Sequence, residues 1–330
     1  MKIQIDNARV PYQWTCHSCL LSLQPFFNVR NLDNLDTPLE NDHNDFVLPS
    51  IALLNQHRKH LSVAHLNTQS MKSTFTQFES YLSTHQFDIV TMSETWLKDN
   101  KNLLSHYEIK GYEKDFRNRD AKRGGGVGYY IKSDIPHKSR KDIESFDTTI
   151  EHQWIELTGK NRLCNVLIGI VYQPSSKSRD KLDWLVKFES LVSQVAIVHH
   201  GPIIITGDLN IDLLVPSPEH EAYDNILGTL NLKQLVSEPT RKSKTLIDHV
   251  ITNTDTKLIA GDVVFCDEIS DHDSPFCILK INKPRYEPRH KYIRDERNLV
   301  IENYVNDFRE LPLNIVYAFD NTSDKVYSIN

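Results

Sequence analysis

Between Gly201 and Leu214 the chain reads GPIIITGDLNIDLL, and the run Ile203 to Thr206 within it constrains the fold more than any other feature. An unbroken apolar and β-branched run bounded by turn residues fits a strand covered on both faces. Whatever this chain builds must therefore supply a layer on each side of that strand. The run ends in Asp208, with Asn210 two positions on. Residues i and i+2 at a strand end share a face, so both would project from one tip. The same two residues serve equally well as turn chemistry, with Asp208 capping the segment NIDLL. How the other strands end decides between these readings.

Comparable runs recur at LSVAHL, DIVTMS, GGVGYYI, WIELT, VLIGIVY, LIDHVIT and PFCILKI. Helical periodicity lies between several of them. STFTQFESYLSTH gathers Phe75, Phe78, Tyr81 and Leu82 on one face, and RDKLDWLVKFESLVSQVAIV carries the stripe Leu182, Leu185, Phe188, Val192 and Val195. EHEAYDNILGTLN presents Tyr223, Ile226, Leu227 and Leu230. Strands alternating with helices predict a layered α/β fold over residues 61–282. At 330 residues and 39% hydrophobic content the chain has material for a sizeable core. Residues 1–60 are polar and lack periodicity (NVRNLDNLDTPLENDHND), which predicts an extended leader. Residues 283–330 open with the charged, proline-broken KPRYEPRHKYIRDERN and read as a linker-like tail.

Composition narrows the function classes. A net charge of -6 gives no global basic field, so any nucleic-acid contact must be local. No run of about 18 apolar residues is present to span a membrane. The start MKIQIDNARVPYQW lacks the apolar stretch of a secretory signal, which predicts an intracellular protein with no membrane partner. Of five cysteines, Cys164, Cys266 and Cys277 lie in apolar strand-like segments and read as reduced core thiols. Three local basic clusters stand out: Lys122 with Arg123, Lys138 with Arg140 and Lys141, and Arg241 with Lys242 and Lys244. Such clusters read first as solvated surface. The glycines of KRGGGVGYYI lack the spacing and the Lys-Ser/Thr of a phosphate loop and fit a turn into a strand.

The strand ends share a pattern. LSVAHL is followed by Asn67, DIVTMS by Glu94, and VLIGIVY ends in Tyr172; Asp248 lies inside LIDHVIT, and Ser270, Asp271 and His272 precede the last strand. Strand tips of α/β folds are where a rigid sheet positions ligand and catalytic groups. Glu94 and Asp271 are hard oxygen ligands suited to magnesium, which takes one or two carboxylates and keeps waters for a phosphate. His272 beside Asp248 forms an oriented imidazole, with Asp208 free to position or deprotonate a water. Asn67, Asn210 and Tyr172 add neutral donors. Taken singly, Asn67 reads as a turn residue, Tyr172 as a core or rim aromatic and His272 as a surface histidine. Asp248 is harder to explain away, because a buried carboxylate needs a partner. His65 alternates within a strand, His199 and His200 end a helix, and His249 should face away from Asp248.

At this point the chain resembles the endonuclease/exonuclease/phosphatase superfamily. The residues that carry the resemblance are Leu66-Asn67, SETWL at Ser93 to Leu97, VYQP at Val171 to Pro174, GDLN at Gly207 to Asn210, IDHV at Ile247 to Val250 and SDH at Ser270 to His272. Each is weak alone; six in order are specific. The resemblance implies a four-layer α/β sandwich of the DNase I type, two facing mixed sheets flanked by helices. It further implies that Glu94 is the principal metal ligand, with Asn67 and Asp271 helping, and that Asp208 activates water. Asn210 would steady the water and the scissile phosphate, His272 held by Asp248 would stabilise charge on the phosphate, and Tyr172 would hydrogen-bond it. The implied cofactor is magnesium, with manganese as an alternative.

SETWL, LKQLVSEPTRKSKTLIDHVITN, ISDHDSPF and the tail HKYIRDERN look like the endonucleases of non-LTR retrotransposons. The leader WTCHSCLLSLQPF looks like the end of a Cys-rich finger, with Cys16 and Cys19 left of the four ligands a zinc site needs. Both ends then read as truncated, the C-terminal one before a polymerase. The resemblance implies DNA as partner, with no obligate protein partner evident, and a nuclear location for work on chromosomal DNA. Thr240, Arg241, Lys242 and Lys244 in the TRKSK loop are the candidate DNA contacts. Two other functions stand beside a DNA-nicking enzyme: a phosphatase on a lipid or small molecule, and an inactive remnant.

Overall fold

The computed structural model describes residues 49–119, 124–159, 165–175, 178–286 and 300–310. Cys16 and Cys19, the pair Lys122 and Arg123, Cys164, and most of the tail lie outside the described residues.

Among the described residues twelve strands form two six-stranded sheets. One has the order β11 (Leu258–Val264), β12 (Ser274–Asn282), β1 (His60–Asn67), β2 (Ile89–Ser93), β4 (Val127–Lys132), β3 (Tyr112–Arg117). The other runs β5 (His137–Ser139), β6 (Glu151–Leu157), β7 (Val166–Tyr172), β8 (Ile203–Asp208), β10 (Asp248–Thr252), β9 (Lys233–Gln234). Each sheet has one parallel pair, β1 with β2 and β7 with β8, and its other pairs are antiparallel. A parallel pair needs a crossover. Helix α2 (Met71–His85) supplies it for the first sheet and α3 (Ser178–Val198) for the second.

Three apolar layers hold the elements together, as the strand alternation requires. In β1, Leu61 and Val63 face the space between the sheets while Ala64 and Leu66 face α2. In β8, Ile204 faces inward while Ile203 and Ile205 pack under α3 and α4 (Pro218–Thr229) against Leu185, Phe188 and Tyr223. The Ile203–Thr206 run is thus covered on both faces, as its composition requires. Helix α1 (Pro49–Gln56) buries Leu54 in the α2 layer, so packing begins within the stretch expected to be an extended leader. A helix of two turns is too short to show a period in the sequence. Helix α5 (Ile301–Glu310) closes the described chain. Cys266 and Cys277 are buried free thiols.

The layer between the sheets changes character along its length. Its apolar part ends where β1, β2, β8 and β10 present inward His65, Asn67, Thr91, Thr206, Asp208 and Asp248, all at most 1% exposed. Thr91 Oγ1 meets Thr206 Oγ1 across the gap at 2.8 Å, tying one sheet to the other at the edge of this polar region. Gly207 permits the approach of β7 beside it, since a Cβ there would lie 1.7 Å from the Val171 carbonyl oxygen.

Candidate active site

The polar end of the inter-sheet layer is built from strand tips and the loops that follow them. Asp208 ends β8 and Asp248 begins β10, and the antiparallel register sets them side by side. Asn67 ends β1, and its Nδ2 donates to Asp208 Oδ2 at 2.8 Å and to Glu94 Oε1 at 3.2 Å. One amide therefore links the tips of both sheets. Glu94 follows β2 in a left-handed backbone conformation with φ 52°, as does Trp96 at φ 54°. Such φ values cost non-glycine residues energy and persist where surrounding structure enforces them. Here Thr95 N–H and Trp96 N–H donate to the carbonyls of Gly126 and Gly125. The turn directs the Glu94 carboxylate to Tyr172, whose hydroxyl donates to Oε1 at 2.9 Å, and to Trp96 Nε1, which donates to Oε2 at 3.2 Å.

The second half of the site centres on His272. Its Nδ1 lies 2.8 Å from Asp248 Oδ2, and its Nε2 lies 3.8 Å from Asp271 Oδ1. Asp248 is fully buried, and Thr240 Oγ1 donates to the same Oδ2 at 2.9 Å while accepting from the Asp248 and Ile247 N–H groups. Arg241 and His272 form a β-bridge, and Arg241 donates to Asp271 Oδ2 at 2.9 Å through Nε and 2.7 Å through Nη2. The TRKSK loop is thereby stitched to the SDH loop.

These contacts set the charge states. Burial, and then the neighbouring Asp248 charge, push the Asp208 carboxyl up to about 8, against the donors Asn67 and Asn210 N–H. Burial alone would strip the proton from His272, but Asp248, helped by Asp208 and Asp271, outweighs it and lifts the imidazole to about 9. Partial burial opposes ionisation of Asp271, and the Arg241 guanidinium with the His272 charge overcomes it and holds the carboxyl below its ordinary range. Burial and the adjacent Glu94 keep the Tyr172 hydroxyl protonated. The site thus joins a carboxylate of raised basicity, a cationic imidazole and a phenolic donor.

The donor chemistry fits a divalent cation. Four carboxyl groups, Glu94, Asp208, Asp248 and Asp271, gather here, with His272 paired to Asp248 and Arg241 to Asp271, and a hard cation would offset the acidic excess and favour the ionised form of Asp208. Oδ1 of Asp248 and Oδ1 of Asp271 are buried with no hydrogen-bond partner among the described residues. Among the described residues, the one group of three His, Cys, Asp or Glu with ligand atoms within 4.8 Å of one another is Asp208, Asp248 and His272. Asp248 and His272 of that group are already paired with each other at 2.8 Å, while Glu94, with Asn67 beside it, and the unpartnered oxygen of Asp271 offer further oxygen ligands.

The contacts above link Asn67, Glu94, Tyr172, Asp208, Asp248, Asp271 and His272, and Asn210 joins them through Asp208. The Asn210 side chain donates to the Gln173 carbonyl at 2.7 Å, and its backbone N–H donates to Asp208 Oδ1 at 2.9 Å. Thr240, expected to touch DNA, does not: it is 0% exposed, and its hydroxyl holds Asp248. The correction follows from its position, since the residue before the exposed basic loop packs under the strand that the loop leads into. Lys242 is half-exposed beside Asp267 and Lys244 is exposed, so both remain on the surface. His249 faces the outer layer, bonded to the Tyr223 hydroxyl at 2.9 Å.

Three residues escaped the reading of the sequence. Trp96 donates to Glu94. Gln173 is buried beside Tyr172 with both side-chain polar atoms unpartnered among the described residues. His65, set aside as a strand residue, lies in the same polar layer, 3.0 Å from Thr91 Oγ1, 3.2 Å from Ser93 Oγ and 4.0 Å from Asp248 Oδ1. Strand alternation alone puts it on the same face as Asn67.

Comparison with known proteins agrees with this architecture. The model of the Endonuclease/Exonuclease/phosphatase family matches residues 64–272, more than half of the chain. No curated protein matches the sequence. Among solved structures, the endonuclease domain of TRAS1, a telomere-specific non-LTR retrotransposon, is 15% identical with a TM-score of 0.53, over 68% of this chain and 100% of that one. The AP endonuclease LMAP from Leishmania major is 11% identical with a TM-score of 0.55, over 70% of this chain and 89% of that one. A 3′-5′ exonuclease (NExo) from Neisseria meningitidis is 17% identical with a TM-score of 0.55, over 66% and 99%. At such identities the likeness establishes a shared fold. Among the described residues no helix is long and apolar enough to cross a membrane.

Proposed function

Because the chain belongs to the endonuclease/exonuclease/phosphatase family, we propose that it is a metal-dependent DNA endonuclease of the non-LTR retrotransposon type, nicking one strand to leave a 3′-hydroxyl that primes reverse transcription. The observation that carries this reading is the pairing of a raised-basicity carboxylate, Asp208, with an imidazolium, His272, held by a buried carboxylate 2.8 Å away. Hydrolysis of a phosphodiester needs both: a base for the attacking water and a cation for charge developing on phosphate.

In this scheme Asp208 removes a proton from water, and the water oxygen forms a bond to phosphorus. The bond from phosphorus to the 3′ oxygen breaks, and that oxygen takes a proton from solvent water. The Asn67 amide and the Asn210 N–H fix the Asp208 carboxylate in place. His272 donates through Nε2 to a phosphate oxygen, with Nδ1 anchored on Asp248. Tyr172 offers its hydroxyl to the same group when it leaves Glu94. Glu94, Asp271 and Asn67 would hold magnesium, or manganese in its place, and such an ion supplies Lewis-acid offset of the phosphate charge. Lys242 and Lys244 would contact backbone phosphates, with Arg241 bridging that loop to the site. Work on chromosomal DNA would take place in the nucleus.

The retrotransposon assignment is supported by the SETWL, TRKSK and SDHDSPF segments and by the fold shared with the TRAS1 domain. A nicking assay on supercoiled plasmid, with and without magnesium, tests it. Release of phosphate from a soluble phosphoester without any nicking would instead favour a phosphatase.

A further inference from the structure

Sheet one has a second polar concavity at the end opposite the candidate active site. Strand β1 runs from His60 at this end to Asn67 at the other, and seven steps of a strand span about 23 Å. The cavity, 220 Å³ in volume, is lined by four cationic side chains, Arg58, Lys132, Lys283 and Arg285, against two carboxylates, Asp88 and Asp134. Asp88 is fully buried. Its Oδ2 accepts from Ser62 N–H and Ser62 Oγ, and its Oδ1 is shared by Lys283 at 2.7 Å and Lys132 at 3.2 Å. One carboxylate between two ammonium groups leaves positive charge uncompensated, on a chain whose net charge is -6.

The histidines define the ligand more closely. His85 is 7% exposed and lines the cavity, and its Nδ1 faces the Tyr81 carbonyl at 3.0 Å. A carbonyl only accepts, so Nδ1 carries the hydrogen and Nε2 is a lone pair. Nε2 is buried with no partner among the described residues, as is Nδ1 of His60 on the same wall. Buried polar atoms of this kind call for a partner. A transition metal does not fit them, because among the described residues no three ligand atoms converge within 4.8 Å here. The wall therefore asks for a ligand that gives acceptor oxygens to lysine and arginine and an O–H donor to a neutral imidazole. A protonated phosphate has both.

We infer that this cavity is a second site that binds a phosphate monoester or free hydrogen phosphate, about 23 Å from the candidate active site. Its P–O⁻ oxygens meet Lys132, Lys283, Arg58 and Arg285, and its P–OH donates to His85 Nε2. The shared chemistry has two sources, free phosphate and the terminal phosphate of a nucleic-acid strand. The inference does not depend on the phosphodiesterase reading, since it concerns binding without metal.

Calorimetric titration of the full chain in EDTA with inorganic phosphate tests it, alongside a 5′-phosphorylated oligonucleotide and its 5′-hydroxyl counterpart. Saturable binding is expected, weakened at least ten-fold by Arg58→Glu combined with Arg285→Glu, both exposed positions, and retained in Asp208→Asn. His85→Phe keeps the aromatic stack on Phe87 and should also weaken binding several-fold. Binding of the phosphorylated strand over its hydroxyl counterpart, lost in the same variants, would support the site with a strand end as the source. Binding of inorganic phosphate alone would support it with free phosphate as the source. No saturable binding, or binding that survives the arginine and histidine variants while Asp208→Asn abolishes it, would overturn the inference.

Discussion

Replacing Asp248 by asparagine separates the charge of the His272 partner from its shape. The wild-type carboxylate gives Oδ2 to His272 at 2.8 Å and to Thr240 at 2.9 Å, and its Oδ1 lies 4.0 Å from His65 Nε2. Asparagine can keep its oxygen on His272 and Thr240 and turn its amide toward His65, so the fold should survive. What disappears is the attraction between two buried charges, about 4 kcal/mol at contact distance in an effective dielectric of about 20. His272 then sheds its proton more easily rather than remaining an unpaired buried cation. Loss of about 3–4 kcal/mol of transition-state stabilisation corresponds to a fall of two to three orders of magnitude in kcat. Stability should drop by about 1.5–3 kcal/mol, the range for a lost charged hydrogen bond. Single-turnover nicking with a magnesium titration and a thermal melt measures all three quantities. A rate within about five-fold of wild type, or a rate restored by added magnesium, would refute the assignment of Asp248 to His272 rather than to the metal.

Glu94→Ala should behave in the opposite way, with weakened magnesium affinity and partial rescue of nicking at high magnesium; a magnesium-independent defect would contradict its role as a ligand. Thr240→Val removes the donor to Asp248 and the acceptor for two backbone N–H groups, and urea melts should show a loss of about 1–3 kcal/mol. The salt dependence of DNA binding should stay unchanged in that variant, as expected of a buried residue. Burial holds His152 and His249 down to about 4, with the Asp147 carbonyl partly opposing it for the first and the Ile211 carbonyl for the second. Their folded values lie below the unfolded value, so their stabilising contribution is complete above about pH 6.5 and is lost as pH falls toward 4. Urea melts between pH 7 and 4 should show stability declining through that window with proton uptake on unfolding, and a flat profile would contradict the neutral buried state of both imidazoles.

Most of the candidate site was legible because it sits on buried strands whose ends break an apolar run. Asp208 after IIIT and Asp248 inside LIDHVIT each violate the burial rule that their neighbours obey, and the structure pairs the first with Asn67 and the second with His272. The edge strands β3, β5, β9 and β11 were not legible. They are short or partly exposed, so their sequences carry neither a buried run nor a clean alternation. Thr240 was misplaced because composition joins it to the basic loop, whereas the register of the following strand buries it. His65 was recoverable, since Leu61, Val63, His65 and Asn67 alternate onto one face of β1. The left-handed turns at Glu94 and Trp96 have no signal in residue type, because φ there is imposed by contacts with Gly125 and Gly126.

The central claim is that Asp208 and His272 hydrolyse a phosphodiester of DNA with the 3′ oxygen as leaving group. The most direct test is incubation of supercoiled plasmid with the full chain and magnesium, followed by a DNA polymerase and labelled nucleotides without end repair. Nicked circles that incorporate label, absent with EDTA and with Asp208→Asn, are the expected result. Nicks that take up label only after phosphatase treatment would mean a 3′-phosphate end, and would contradict the account.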